Sequence, residues 1–238
     1  MPGGFPNKPK ILRGAFVEYG LSIPPLFVVF QFNPVQLSRN RSLTFSPPNS
    51  GISCPGEQGR TRERPATLRD YHQEEDLMVI QKEQQVTVTE ETINFEIRLD
   101  ASDKLNEGDF ITQQFGIAPQ LAALELMTHP KQESLLGAAL GSLLGESGGF
   151  SFTKKENPPL VLFIWGLKRV LPVNITQLNI TETEFSPQLD PIRATVSVSL
   201  TVIEGKNPCY GYSKVMKEVM AALNLANLAD IANVVIPV

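Results

Sequence analysis

Residues able to do chemistry are few in this chain, and their spacing does not converge. There are two histidines, His72 and His129, far apart in sequence. Histidine titrates nearest neutral pH, so acid–base and metal chemistry draw on it first. His129 precedes Pro130 at the end of a helical stretch, where it complements the helix dipole. Cys54 lies in a polar, Pro-rich loop and Cys209 beside Pro208. Both read as free thiols, with a bridge between them left open. No CxxC, HxH or HExxH spacing offers a metal set. No GxxxxGK[ST] or GxGxxG loop follows a strand. Ser147 within GESGG has the spacing of a nucleophile elbow, which requires a strand before it and a helix after it. Here the order is reversed. Glu74, Glu75 and Asp76 read as a solvated charged loop. The expectation is no catalytic residue, no metal, no cofactor and no enzyme.

Composition narrows the remaining classes. The chain has 238 residues, 42% hydrophobic and 19% charged, with a net charge of −4. That is an ordinary globular balance, long enough for one large β domain or two small ones. The mild acidity and the lack of aromatic–basic interleaving argue against nucleic acid as a partner. No stretch approaches the roughly 18 apolar residues that cross a bilayer, so no direct membrane insertion is expected. The N-terminal MPGGFPNKPK has no apolar run after its lysines and does not read as a secretory signal.

The clearest positioning element is the strand at 192–202. Ile192, Ala194, Val196, Val198, Leu200 and Val202 alternate with Arg193, Thr195, Ser197, Ser199 and Thr201. A period of two sorts them onto opposite faces of a sheet. The second face is rich in small hydroxyls, as suits a lining. Leu160 to Trp165 is apolar on both phases, so both faces need cover. In the segment between, Val173 and Ile175 share one phase, while Leu178 and Ile180 share the other. A β-bulge near Thr176 and Gln177 would reconcile them. A turn at Ser186 to Pro191 joins this segment to the last strand.

Further strands are expected at 11–16 (a short edge), 26–32, 35–45, from Gln84 to Val88, and around Ile93 to Leu99. Residues 46–76 lack periodicity and read as a long loop, carrying Arg60, Arg62, Arg64 and Arg69. Asp103 is a plausible helix N-cap. Residues 117–128 carry a helix with Ile117, Leu121, Leu124 and Met127 on one face. A second helical segment is expected at 132–144. GKNPCYGY reads as a turn, and a final helix is expected over 214–232, amphipathic enough to pack its apolar face on the core or on a partner. The closing VVIPV could add to a sheet edge. The fold class is α+β, mainly antiparallel β.

Several stretches together resemble one family. They are FQFNP at 30–34, IRLDASDKLNEGD at 97–109, GIAPQLAALELM at 116–127, PPLVLFIWG at 158–166, and the FSPQLDPIRA turn at 185–194. Their order is similar to that of tube-domain proteins of contractile injection systems, the phage-tail-like machines of bacteria. The resemblance covers about residues 24–204. It implies a tube-protein-like β-barrel with packed helices over 1–204, a helical insertion at 103–145, and a helical tail at 205–238. It also implies a structural baseplate role as tube initiator, a hexameric ring joining spike or hub to inner tube. Partners would then be further copies, the spike or hub protein, the tube protein and other baseplate proteins. The particle would assemble in the bacterial cytoplasm and be released or membrane-anchored. Several family members carry a C-terminal LysM module, and none is evident here. In that setting Leu160, Leu162, Ile164, Trp165 and Arg193 are expected at the subunit interface, and Thr195, Ser197, Ser199 and Thr201 at the lumen. Arg60, Arg62, Arg64 and Arg69 would contact a partner. The alternatives are a small-ligand-binding β-barrel module or another phage-tail-like structural protein, such as a tail-completion protein.

Overall fold

The computed structural model describes residues 12–20, 25–47, 51–55, 61–65, 67–73, 76–129 and 157–226. It is α+β and mainly antiparallel. Two compact units divide the chain: residues 1–39 with 92–238, and residues 40–91.

The larger unit is built on a seven-stranded sheet. In chain order its strands are β1 (Ala15–Glu18), β2 (Phe27–Val29) and β3 (Leu37–Asn40), the last at the boundary of the two units. In the smaller unit, β4 (Leu43–Ser46) pairs with β7 (Gln85–Val88), and β5 (Gly51–Pro55) pairs with β6 (Thr61–Pro65). The large sheet is completed by β8 (Thr92–Asp100), β9 (Val161–Ile164), β10 (Val170–Phe185) and β11 (Pro191–Val202). Its spatial order is β2-β1-β9-β10-β11-β8-β3.

Strand β11 shows why the sheet forms. Ala194, Val196, Val198, Leu200 and Val202 are all buried, while Thr195, Ser197, Ser199 and Thr201 point the other way and are half-buried. Opposite them on β8, Leu99, Ile97, Phe95 and Ile93 are buried in register. Phe16, Phe30, Phe95 and Phe163 meet at ring distances between 5.1 and 6.4 Å at the centre of this face. The bulge stands where expected: the β10–β11 register slips between Ile175 and Gln177. It lets Ile175, Leu178 and Ile180 all pack against the core despite their change of phase.

Helices cover that core face. Helix α5 (Ala118–Leu126) presents Leu121 and Leu124, with Ile117 and Met127 at its ends, all buried. It is preceded by α3 (Ser102–Asn106) and α4 (Phe110–Phe115). Gly116 joins α4 to α5 with φ of 54°, a conformation that favours glycine. A Cβ there would stand 2.1 Å from the Pro191 carbonyl oxygen, which accepts the Ile117 N–H at 2.8 Å. The last helix, α6 (Pro208–Leu223), is capped by the Asn207 side chain, which accepts the Tyr210 N–H.

Five expectations change. Strand β1 is not an edge: the apolar run after it folds back as β2 and takes the outer place, so β1 is paired on both sides. The stretch 35–45 splits between two sheets, β3 in one and β4 in the other. Residues 46–76 contain a strand pair and a short helix, α1 (Leu68–Tyr71), closed by a capping box between Thr67 and Asp70, and α2 (Leu77–Glu83) follows them. Asp103 is not an N-cap. Helix α3 begins directly off β8 with Ala101 at the N-cap position, and the Asp100 carboxylate just before it accepts the Ser102 N–H. Asn207 and Pro208 start α6 inside the stretch read as a turn, and from Lys214 onward its apolar residues are largely exposed rather than packed in the core.

The sheet is also open. Its outer strands β2 and β3 do not pair, and α5, not a second sheet, lies over the core, so it does not close into a barrel. The segments 132–144 and 234–238 lie outside the described residues.

Gly116→Ala should destabilise the chain by more than about 1 kcal/mol, because both the left-handed backbone and the close carbonyl oppose a side chain. A lowered urea midpoint at unchanged slope would register this; an unchanged midpoint would remove Gly116 from the account.

Candidate functional site

The outer face of the large sheet, opposite the core, changes chemistry across its width. On the wing formed by β8, β11 and β10 it is polar. Thr195 lies opposite Arg98, Ser197 opposite Glu96 and Ser199 opposite Asn94. These residues line a concave surface of about 1080 Å³, together with Phe32 to Gln36. Thr201 continues the same row opposite Thr92, beyond that lining. Thr195, Ser197 and Ser199 thus line that surface, and Thr201 lies on the same strand face outside it.

On the other wing, formed by β2, β1 and β9, the same face is apolar. Ala15 lies opposite Val29 on one side and Ile164 on the other; Val17 lies opposite Phe27 and Leu162. Val170 and Pro172 of β10 continue these rows. Phe27 is 62% and Val29 47% exposed, while Leu162 and Ile164 are half-buried. Val161 and Phe163, the other phase of β9, are fully inside. The reading of 160–165 as apolar on both faces therefore holds, and the second face is incompletely covered. Helix α6 is anchored to β10 beside this wing. The Ser213 hydroxyl donates to the Val170 carbonyl and accepts the Val170 N–H, and the Tyr212 hydroxyl donates to the Leu167 carbonyl. Beyond that anchor, Val215, Val219 and Leu223 are exposed.

The remaining expected interface residues separate. Leu160 is half-buried and its carbonyl accepts the Tyr19 N–H. Trp165 stacks on Phe163 at 6.0 Å and closes over Gly14, where a Cβ would come within 2.8 Å of its ring. It is packed within its own chain. Arg193 is likewise engaged. It donates to Asp100 at 2.8 Å and to Glu184, tying together β8, β10 and β11. The Ser102 hydroxyl and then its backbone N–H, together with Arg193, hold the Asp100 carboxyl below the ordinary carboxylate range, against the cost of desolvation. This pairing spans residues far apart in sequence, so no local signal announces it.

Of the arginines, Arg69 is exposed in α1, and Arg62 and Arg64 occupy alternate positions of β6, opposite Cys54 and Ile52. Arg60 lies outside the described residues. Within the smaller unit, Leu43 and Phe45 share a ribbon face with Val88 and Val86, each about half exposed. Among the described residues that unit holds no buried apolar side chain.

Groups with chemistry stay apart. Among the described residues no three of His, Cys, Asp and Glu gather at a metal-binding distance, and Cys209 is a free thiol. His129 Nδ1 donates to the Glu125 carbonyl at 2.7 Å, capping the end of α5. No described helix is long and apolar enough to cross a membrane. No family model matches the chain, and no characterised protein matches it in sequence.

The depressed Asp100 carboxyl contributes stability that is present above the unfolded value of 3.8 and is lost as pH falls through its lower folded value. Asp100→Asn should therefore unfold more easily than the parent near about pH 6, with the gap narrowing below about pH 3.8. A gap that stays constant over that range would detach the effect from this carboxylate.

Proposed function

We propose that this chain is a structural baseplate protein of a contractile injection system. Copies form a ring that joins the spike or hub to the inner tube and starts tube assembly. The observation that carries the reading is the divided outer face of the large sheet. An apolar wing with Phe27 and Val29 exposed requires cover, whereas a wing of Thr, Ser, Asn and Gln with the charged Glu96 and Arg98 suits contact with water. In a ring, each copy covers the apolar wing of its neighbour and leaves the hydroxyl wing facing the lumen. A lumen that passes cargo benefits from a hydrated surface, which the Thr195, Ser197 and Ser199 hydroxyls beside Glu96 and Arg98 would provide.

A second feature supports assembly through strands. Strand β9 pairs with β10 only over Val170 to Val173. Among the described residues, Asn174 to Phe185 of β10 are paired on the β11 side alone. An exposed edge of that length invites another strand, and closed rotational symmetry removes such edges. The barrel implied by the resemblance would then be a property of the ring, completed between copies. The hexameric number, the hub and tube partners, and the released or anchored particle follow from the family resemblance. No bond is made or broken in this role; the protein would template the first tube ring and travel with the tube on contraction.

Native mass spectrometry with electron microscopy of the purified chain should show closed rings, six-fold if the resemblance holds. Proline substitution of the adjacent residues Asn179 and Ile180, one at a time, sharpens the test. Of two neighbours in a strand, one N–H faces β11 and the other faces outward. The outward one should stop ring formation while the chain stays folded, and the inward one should weaken the hairpin itself. A folded monomer at micromolar concentration, or rings indifferent to both substitutions, would contradict the proposal.

A further inference from the structure

Near its turn the β10–β11 hairpin breaks register on either side of Glu184, and the two breaks cancel. Thr181 faces Thr195 and Glu182 faces Ala194; nearer the turn, Phe185 faces Pro191. The turn keeps the same count, with the Ser186 N–H on the Asp190 carbonyl at 2.8 Å. An unbroken ladder through these pairs would set Thr183 opposite Arg193 and Glu184 opposite Ile192. Instead Glu184 faces Arg193, which leaves Thr183 extra on one strand and Ile192 extra on the other. The ladder therefore slips by one residue and slips back, with both flanks already in place for the unbroken form.

Side-chain chemistry explains the detour. Side chains alternate between faces along a strand, so the unbroken register would put Glu184 on the phase of Ile180 and Glu182, opposite Ile192. Ile192 is half-buried and packs against the core, so a carboxylate set beside it loses solvation. The detour carries the carboxylate to Arg193 instead, whose Nη1 donates to Glu184 Oε1. The Thr183 hydroxyl donates to the Arg193 carbonyl at 3.3 Å and ties down the extra residue. Arg193 is the fixed post of this arrangement: its strand pairs with β8 without a break, and its Nε donates to Asp100 at 2.8 Å. On that same side the Ile192 carbonyl accepts the Ala101 N–H at 2.9 Å. Only the tip of β10 has to move between the two registers.

We propose that Thr183 and Glu184 form a register latch at the tip of β10. The ion pair with Arg193 holds the detoured register. Release of Glu184 lets the strand take the unbroken one, with Thr183 opposite Arg193 and Glu184 opposite Ile192. The two forms share the turn and the rest of the hairpin, so they differ by few interactions, which is the condition for a two-state element. An exposed ion pair holds weakly, so a second carboxylate on Arg193 or a cation on Glu184 would release it. Successive strand residues turn their N–H groups to opposite edges, so the latch also selects which amide of residues 183 and 184 the β10 edge offers. It lies within one chain and does not depend on the assembly reading above.

Nuclear Overhauser contacts across the hairpin of the full chain distinguish the registers. The parent should show Glu184 against Arg193. Glu184→Leu removes the charge and suits the side of Ile192. It should shift the ratio of unbroken to detoured register by about ten-fold or more, seen as residue 183 against Arg193 and residue 184 against Ile192. Glu184→Gln should shift the ratio the same way by less. Thr183→Val leaves the ion pair intact and should keep the detour. Contacts of Glu182 with Ala194 and of Phe185 with Pro191 belong to both registers and report a folded hairpin in every variant; if Glu184→Leu loses them, Glu184→Gln decides. A detour that survives neutralisation of Glu184, or an unbroken register already dominant in the parent, would overturn the latch. So would a Thr183→Val chain that loses the detour as completely as Glu184→Leu.

Discussion

Register along β11 is the constraint on which the large sheet depends. Buried Val196, Val198 and Leu200 alternate with half-buried Thr195, Ser197 and Ser199, so a slip of one residue would exchange the two sets. Each buried Val or Leu contributes roughly 1.5–3 kcal/mol, so a slip is heavily disfavoured. With that register held, β8 can only pair as it does, and Arg193 comes opposite Asp100. The same register sets the Pro191 carbonyl against Gly116, which seats α4 and α5 over the core. The hydroxyl wing is therefore a consequence of how the core is packed: the residues that cannot enter it form one continuous polar surface.

The same packing rule applied to β1, β2 and β9 has the opposite outcome, because those strands are apolar on both phases. One phase fills the core with Phe16, Val28, Val161 and Phe163. The other leaves Val17, Phe27, Val29, Leu162 and Ile164 on an outer face where Phe27 and Val29 stay exposed. The smaller unit repeats the pattern: a two-stranded ribbon with Leu43, Phe45, Val86 and Val88 on one face is marginal by itself in water. Unfinished apolar faces in both units are what a protein built for assembly would display, and they connect the packing to the proposed role.

Legibility in the sequence followed the range of the interactions. The strand at β11, the bulge after Ile175, the turn from Ser186 to Pro191 and the buried face of α5 were all visible, because each depends on periodicity or on turn chemistry within a few residues. The two apolar phases of β9 were visible for the same reason. What pairs with what was not. Nothing local tells β1 that β2 will flank it, or Arg193 that Asp100 and Glu184 will engage it. Trp165 reads as an interface residue until Gly14 and Phe163 enclose it. The start of α6 was hidden because Asn207 and Pro208 serve equally well in a turn and as a helix cap with a first-turn proline. Open rather than closed sheet geometry was equally out of reach, since it is set by which edges meet.

The central claim is that this sheet is finished by other copies of the chain. Hydrogen–deuterium exchange across Asn174 to Phe185, followed from dilute to concentrated protein, tests it most directly. Amides facing β11 should be protected at every concentration, while the alternate, outward-facing amides should exchange quickly when dilute and become protected as copies associate. Outward amides that remain unprotected in the associated state, or that are already protected in the isolated chain, would contradict the account.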